Sequence, residues 1–590
     1  MKTPLIGARH GGMAVLIALC TLATACARAV APTVAQTNAV APSPLAISAD
    51  ARLLEMVDQR RMDTALVDVL LADTNAVLRA RTALAVGQAR IRLRYPRLRQ
   101  LLLDGDTAIA ANAAFALGIA RDFESVSALA RAVSGAPDAV AREAAWSLGE
   151  MGEMGRQVIL QSLGEGMAAP LRDSPIALRA PAVRAAMVLA TVKLRNAPMA
   201  VVTPWLADSS PDVVRAAAYV VARLRAPAGV RAVMAVANHG DEEVRQSVAR
   251  ALARSAAGDS LGARARELLR NLLRDNSERV RVNAVQSAAT YGVALADDLQ
   301  PLWRDPARNV RVTLAEGWAA VAATNRDRWQ RAWEADTMLA VRRLLLQQAR
   351  RGALPLFAQV EAEWARRSDW RYRLAALGSN ERGAPVDSGL ARTLVDDPDK
   401  RVRREAGLRL GLRDTTLTAV NAGPRNPAPV PRALEAYEQL VRRYWRGADA
   451  TPRAYVETEQ GIITLELFGA DAPLVVEAFT RLARTGKYRN TTFHRVVPNF
   501  VVQDGDIAAG DGAPEPPFTL RESWTRRRHV RGCLGLATAG PDTGGSQYYL
   551  CHSTQPHLDG GYTVFGRVVD GFDVMDRLVQ GDRMVEVRVP

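Results

Sequence analysis

The chain has 590 residues, 48% of them hydrophobic, too many for one ordinary core, so two or more domains are expected. Its formal charge of +15 is almost wholly arginine, because only Lys2, Lys193, Lys400 and Lys487 are lysine among 77 basic residues. That charge is spread along the chain and its Arg526-Arg527-Arg528 run is short, which argues against a nucleic-acid surface.

At the start, Lys2 and Arg9 precede an apolar run, Met13 to Leu22, and then Ala23-Thr24-Ala25-Cys26. The run is too short to span a membrane permanently, and the layout is that of a secretory signal over residues 1–25. A cysteine directly after three small residues resembles a bacterial lipobox, although Ala23 stands where leucine is usual. The resemblance implies that Cys26 becomes a lipidated first residue. The chain would then be exported to the periplasmic or cell-surface side and held at a membrane by a lipid anchor. Ala27 is not acidic, which favours an outer membrane where a cell has two. An ordinary signal peptide cut near Ala25 is the alternative. Residues 26–48 lack charge after Arg28 and lack periodicity, and read as a flexible tether.

From 49 to 420 the chain reads as helical and repetitive. An apolar residue recurs at Leu78, Ile109, Val140, Val183, Val214, Val244, Val280, Val310, Val341, Tyr372 and Val402, and arginine follows directly in nine of the eleven places. Small residues come next, as in Ala216-Ala217-Ala218. Asp138, Asp212, Asp241, Asp305 and Asp399 lie just before, where they can cap helices, and Gly87, Gly118 and Gly149 stand where helices can end. Two short helices per ~31 residues cannot bury their apolar faces alone, so the units must stack. The pattern resembles an all-α HEAT-type solenoid, with insertions near 164–180 and Gly258. The recurrent Asp and Arg read either as a ladder between repeats or as a solvated face. Such an array implies a long curved surface for a protein partner.

Residues 421–451 read as a linker, stiff at Pro424–Pro431, with one helix from Ala433 to Trp445. The remainder, 452–590, alternates strand patterns with two helices, Ala472–Thr485 and one near Phe572–Leu578. Within it Tyr488 to Asp506 reads YRNTTFHRVVPNFVVQDGD. Strand alternation and a turn would bring Arg495, Phe500 and Gln503 to one concave surface. A guanidinium, a neutral amide and an apolar slot contain no nucleophile or base, and suit a reaction that only needs a bond to rotate.

Three ordered blocks in this region are similar to the cyclophilin-type peptidyl-prolyl isomerases. They are Phe493-His494-Arg495 with Pro498, Phe500 and Gln503-Asp504-Gly505-Asp506; Leu536 to Tyr549; and Leu558 to Gly566. The resemblance implies a closed eight-stranded antiparallel β-barrel, so the whole chain is expected to be multidomain α + β. It also implies an enzyme, a peptidyl-prolyl cis-trans isomerase acting on proline-containing polypeptides with no cofactor. By the resemblance Arg495 donates to the prolyl nitrogen and Gln503 holds the substrate carbonyl and positions Arg495. Phe500, Val501, Leu558 and Phe565 form the proline pocket, Ala537, Thr538 and Gln547 flank the peptide, and His557 and Tyr562 sit at the rim. Four positions depart from the family pattern: His557 for a tryptophan, Val501 for a methionine, Thr538 for an asparagine, and Asp504 for a small residue. None removes the arginine. The implied function is assistance to the folding of exported proteins, the repeats binding protein. The alternative is a non-catalytic lipoprotein scaffold that reads proline peptides and whose repeats carry the function.

No Cys/His cluster has metal-ligand spacing, so no metal is expected. Cys533 and Cys551 sit on two segments that read as paired strands. If Leu536 lies opposite Tyr548, the two cysteines face each other, either as a disulfide or as two small buried hydrophobes.

Overall fold

The repeated apolar residues set the phase of the helices in the computed structural model. It describes residues 44–89, 96–323, 325–351, 358–378, 388–412, 432–445, 451–507 and 518–590. The signal segment and Cys26 lie outside them. The repeated residue is the third of its helix in Ala76–Gln88, Glu242–Ala251, Glu278–Ala289 and Lys400–Arg409, and the fourth in Pro211–Leu224. Nearly all of these residues are buried, while Tyr372 is half-buried. Most such helices pack on their counterparts in neighbouring units, and shorter helices and turns run between them. The longer 36-residue step is absorbed by a 19-residue helix, Arg254–Leu272. The first helix, Pro44–Gln59, starts inside the stretch expected to be tether.

The recurrent arginines form a ladder between neighbouring units. Arg184 pairs with Asp208 at 2.8 Å, Arg245 with Asp275, Arg281 with Asp305 and Arg311 with Asp336 at 2.7 Å each, and Arg373 with Asp397 at 2.7 Å. The same aspartates accept backbone N–H groups two residues on, as Asp275 does from Ser277 and Asp305 from Ala307. One carboxylate therefore shapes the turn into its own helix and binds the previous repeat. Asp241 and Asp399 cap their helices, whereas Asp138 and Asp212 fall within the first turn instead. The three early glycines also differ from expectation, because they lie inside helices rather than ending them. A Cβ on Gly87 would sit 2.6 Å from Ala116 Cα, and one on Gly118 would sit 2.9 Å from Ser147 Cα. Their job is to let adjacent repeats touch backbone to backbone.

The sheet domain has eight strands: β1 Arg453–Thr458, β2 Gly461–Leu467, β3 Arg495–Val497, β4 Val501–Asp504, β5 Cys533–Leu536, β6 Tyr548–Cys551, β7 Val564–Asp570 and β8 Met584–Arg588. They pair antiparallel in the order β3-β4-β6-β5-β7-β2-β1-β8. The expected closed barrel is corrected to a curled half-barrel. Among the described residues no ladder joins β3 to β8. β3 is only three residues long, and the chain before it meets the far edge through one bridge, Thr492↔Arg583. Helix Pro473–Arg484 covers the core, where Phe479 touches Tyr488, Tyr548 and Phe565.

Residues Leu45–Pro590 pack as one unit, and the repeat surface expected to hold another protein carries this chain's own sheet domain. The contacts run along the array. Trp524 is fully buried against Phe115 and Ile119, and Gln88 donates to its carbonyl at 2.5 Å. Glu143 takes Arg528 at 2.5 Å. Asn499 donates to Asn283 at 3.0 Å, Arg308 pairs with Asp582 at 2.7 Å, and Arg371 pairs with Glu459 at 2.8 Å. The first helix joins in as well: Ile47, Ala51 and Leu54 share a core with Tyr437, Tyr444 and the sheet.

Candidate active site

The β3–β4 hairpin places Arg495 directly opposite Gln503. Arg495 Nη1 donates to Gln503 Oε1 at 3.3 Å, and Gln503 Nε2 donates to Gln547 Oε1 at 2.9 Å. The guanidinium, itself exposed, lies 5.5 Å from the centre of the Phe500 ring. The turn between the strands needs a left-handed residue, and Asn499 supplies it at φ 59°. Phe500 then stacks on His557 at 5.8 Å and 23°. His557 is held from the repeat array, its Nδ1 lying 2.9 Å from the Tyr219 hydroxyl.

Behind this edge Val501 and Leu558 are buried in an apolar cluster against which Phe500, Ala537 and Tyr562 pack. Ala537 N–H donates to Gln547 O at 3.0 Å, so the loop carrying Thr538 is anchored to the same glutamine. Phe565 is not brought to this cluster. It falls on the other face of β7, in the main core against Phe479 at 5.6 Å. The tyrosine buried in the cluster, beside Phe468, is Tyr549. Its position after Tyr548 on a strand is the signal that could have found it, since only one of two adjacent residues can face the core. Gly535 makes room for that ring, because a Cβ there would collide with Tyr549 Cζ. His529 lies 2.9 Å from both the Tyr549 hydroxyl and Asp559, so a buried Asp559–His529–Tyr549 chain fixes the ring from behind. Leu536 does lie opposite Tyr548, and Cys533 and Cys551 are both free and buried. Burial and a hydrogen bond with Cys551 push the Cys533 thiol up.

Burial, then the charges of Arg223 and Arg250, push His557 down to about 4, so its ring is neutral where it shares a hydrogen bond with Tyr219. Asp504 is fully buried on β4, and burial raises it to about 7. Protonated, it can donate to Thr491 Oγ1 at 3.0 Å, whose own hydroxyl donates to Tyr488 O at 3.0 Å. Its other oxygen accepts from Gly505 N–H, which secures the turn after Gln503. The folded chain keeps this proton where the unfolded chain, with a value of 3.8, has lost it. The stabilisation is therefore fully present below about pH 4 and is lost as pH rises to about 7, an effect on the order of 4 kcal/mol. Asp504→Asn keeps both hydrogen bonds and should flatten this part of the curve. Thermal melts of both proteins from pH 4 to 8 check it, and parallel curves would remove the assignment.

Arg495, His494 and Asp506 open on a cavity of about 1250 Å³ whose facing wall is the repeat array at Trp370, Arg371 and Arg404. A cation steered by an amide beside an apolar slot defines a site that acts on charge distribution within a bound chain. The cyclophilin type peptidyl-prolyl cis-trans isomerase family model matches residues 453–589, and the HEAT repeat model matches 199–288. A peptidyl-prolyl cis-trans isomerase from Helicobacter pylori is 44% identical over 135 residues, 22% of this chain and 83% of the relative. One from Synechococcus elongatus is 41% identical over 139 residues, 23% of this chain and 95% of the relative. Isomerase B of Bacillus subtilis is 43% identical over 129 residues, 22% of this chain and 90% of the relative. The chain belongs to the cyclophilin-type peptidyl-prolyl cis-trans isomerases, and the helical array before that domain is HEAT-like.

Proposed function

We propose that this isomerase acts on polypeptides folding outside the cytoplasm, from a lipid anchor at Cys26, with the repeat array forming the far wall of the groove that receives them. The observation that carries the reading is the placement of Arg495, exposed to a cavity of about 1250 Å³ yet steered by Gln503. An X-Pro bond resists rotation by about 18–20 kcal/mol through amide resonance. In the twisted state the prolyl nitrogen regains its lone pair. Arg495 donates to that nitrogen and so binds the twisted state better than either planar one. Gln503 holds the substrate carbonyl, Phe500, Val501, Leu558 and Tyr549 hold the ring, and Ala537, Thr538 and Gln547 flank the peptide. No proton is transferred and no covalent bond breaks, so the site needs no acid, base or nucleophile.

The test of turnover uses the full-length chain and a proline test peptide prepared in the cis state. Relaxation many-fold faster than in buffer is expected, and relaxation at the buffer rate would end the reading. Export is checked separately by labelling cells with a fatty-acid analogue. Cys26→Ser should lose the label and appear as a soluble form, and equal labelling of the variant would overturn the anchor.

A further inference from the structure

A second cavity, of about 500 Å³, lies between the repeats and the wall of the proline slot formed by Phe500 and His557. Three of its arginines, Arg223, Arg225 and Arg250, differ from those of the ladder. Among the described residues no side chain makes a hydrogen bond or ion pair with their guanidinium groups, although ladder and interface arginines are paired. The acids lining the cavity do not neutralise them. Asp212 is taken by Arg215 at 3.1 Å, and Glu243 lies 3.7 Å from Arg215 and accepts from Thr554 at 2.9 Å. The cavity also contains an unanswered donor. Gln246 is 4% exposed, lines the space, and its Nε2 has no partner. A buried amide donor without an acceptor is costly. Beside an uncompensated cluster of cations, it describes a place built to receive an anion attached to something with a carbonyl group.

We propose that this cavity is a subsite for an aspartate or glutamate side chain lying a few residues from the isomerised proline, with Arg223 and Arg250 pairing to its carboxylate and Gln246 Nε2 donating to a carbonyl oxygen of the same segment. The proposal rests on the reading of the adjoining groove as the isomerase site. Its physical basis is complementarity: an acidic side chain relieves the mutual repulsion of the arginines, while the backbone beside it satisfies the amide. Phe500 and His557 stack on each other and line the cavity, so the proline slot and the cavity share a wall. Tyr219 is a positioning residue here. It holds His557 in that wall, and the charges of Arg223 and Arg250 both act on its hydroxyl.

The experiment uses the full-length protein and pairs of proline peptides that differ only in Glu or Gln, placed in turn at each of several positions on either side of the proline. At one position Glu should raise kcat/KM over Gln by about tenfold, and the ratio should shrink at high salt. In Arg223→Gln/Arg250→Gln the ratio should fall to about one. A change that merely disturbed the fold would lower both peptides together and leave the ratio standing. Arg223→Gln alone, at an exposed position, gives the same readout if the double variant does not fold. Equal turnover of Glu and Gln peptides at every position would overturn the subsite while leaving the isomerase intact. A preference that survives in both variants would overturn it too. Failure to turn over any peptide would instead remove the isomerase reading, and the subsite with it.

Discussion

Arg495→Ala should lower kcat/KM for a proline test peptide by about two to three decades, on the order of 3–4 kcal/mol of transition-state stabilisation. The side chain is exposed and its contacts are the Gln503 amide and the Phe500 face, so the melting temperature should stay close to that of the wild type. Arg495→Lys should also be poor. An ammonium lacks the planar fork that can reach Gln503 and the prolyl nitrogen together. Turnover of the alanine variant at the wild-type rate would mean that the rotation is helped by the slot alone, and Phe500 and Tyr549 would become the residues to examine.

Glu143→Gln should cost roughly 3–5 kcal/mol, the range for removing one partner of a buried ion group. Glu143 is fully buried on a repeat helix. It accepts Arg142 at 2.9 Å and Arg528 at 2.5 Å, and it lies 3.5 Å from Arg526. Burial pushes its carboxyl up, but Arg528, Arg526 and Arg142 together outweigh that and hold it below its ordinary value. Two of these arginines come from the sheet domain, so the loss should appear as loosened docking as well as a lower melting temperature. Adding Arg526→Gln and Arg528→Gln removes the orphaned cations and should restore part of the stability, the signature of coupling rather than of independent damage. A Glu143→Gln protein melting with the wild type would show that the cluster holds nothing together.

Much of this molecule is legible in its sequence because periodicity reports on packing. The residues from Leu78 to Val402 mark the same place in successive helices, and most of the arginines that follow them find carboxylates in the next unit. Arg495 and Gln503 are readable as partners because a tight hairpin leaves little choice of register. Leu536 opposite Tyr548 is only a conditional reading, because a long Gly- and Pro-rich loop parts the two strands, and the ladder bears that register out. The docking of the two domains is not readable. Trp524, Glu143 and Asn499 carry no period, and nothing in their local pattern says that they meet residues hundreds of positions away. The proline slot misleads for a related reason: Phe565 suits it by type, and only the pleat of β7 turns that ring into the main core and leaves Tyr549, on β6, to face the slot. Closure of the sheet is also beyond local pattern, since it depends on how far β3 reaches toward β8. The glycines at 87 and 118 look like helix stops because a stop and a close approach both ask for a missing side chain.

The first helix, Pro44–Gln59, shares its core with Tyr437, Tyr444 and strands made from the final stretch of the chain. An open array of repeats can fray from either end, one interface at a time. This one is fastened end to end, with the first of its described helices packed on the domain that is made last. The early repeats must wait for the last residues before their surface is covered, so assembly ends with a single closing event rather than a steady zippering. Once closed, neither end of the array offers a cheap place to begin opening. The array inherits the cooperativity of a globular protein, and the width of the substrate groove becomes a property of residues 45–590 together.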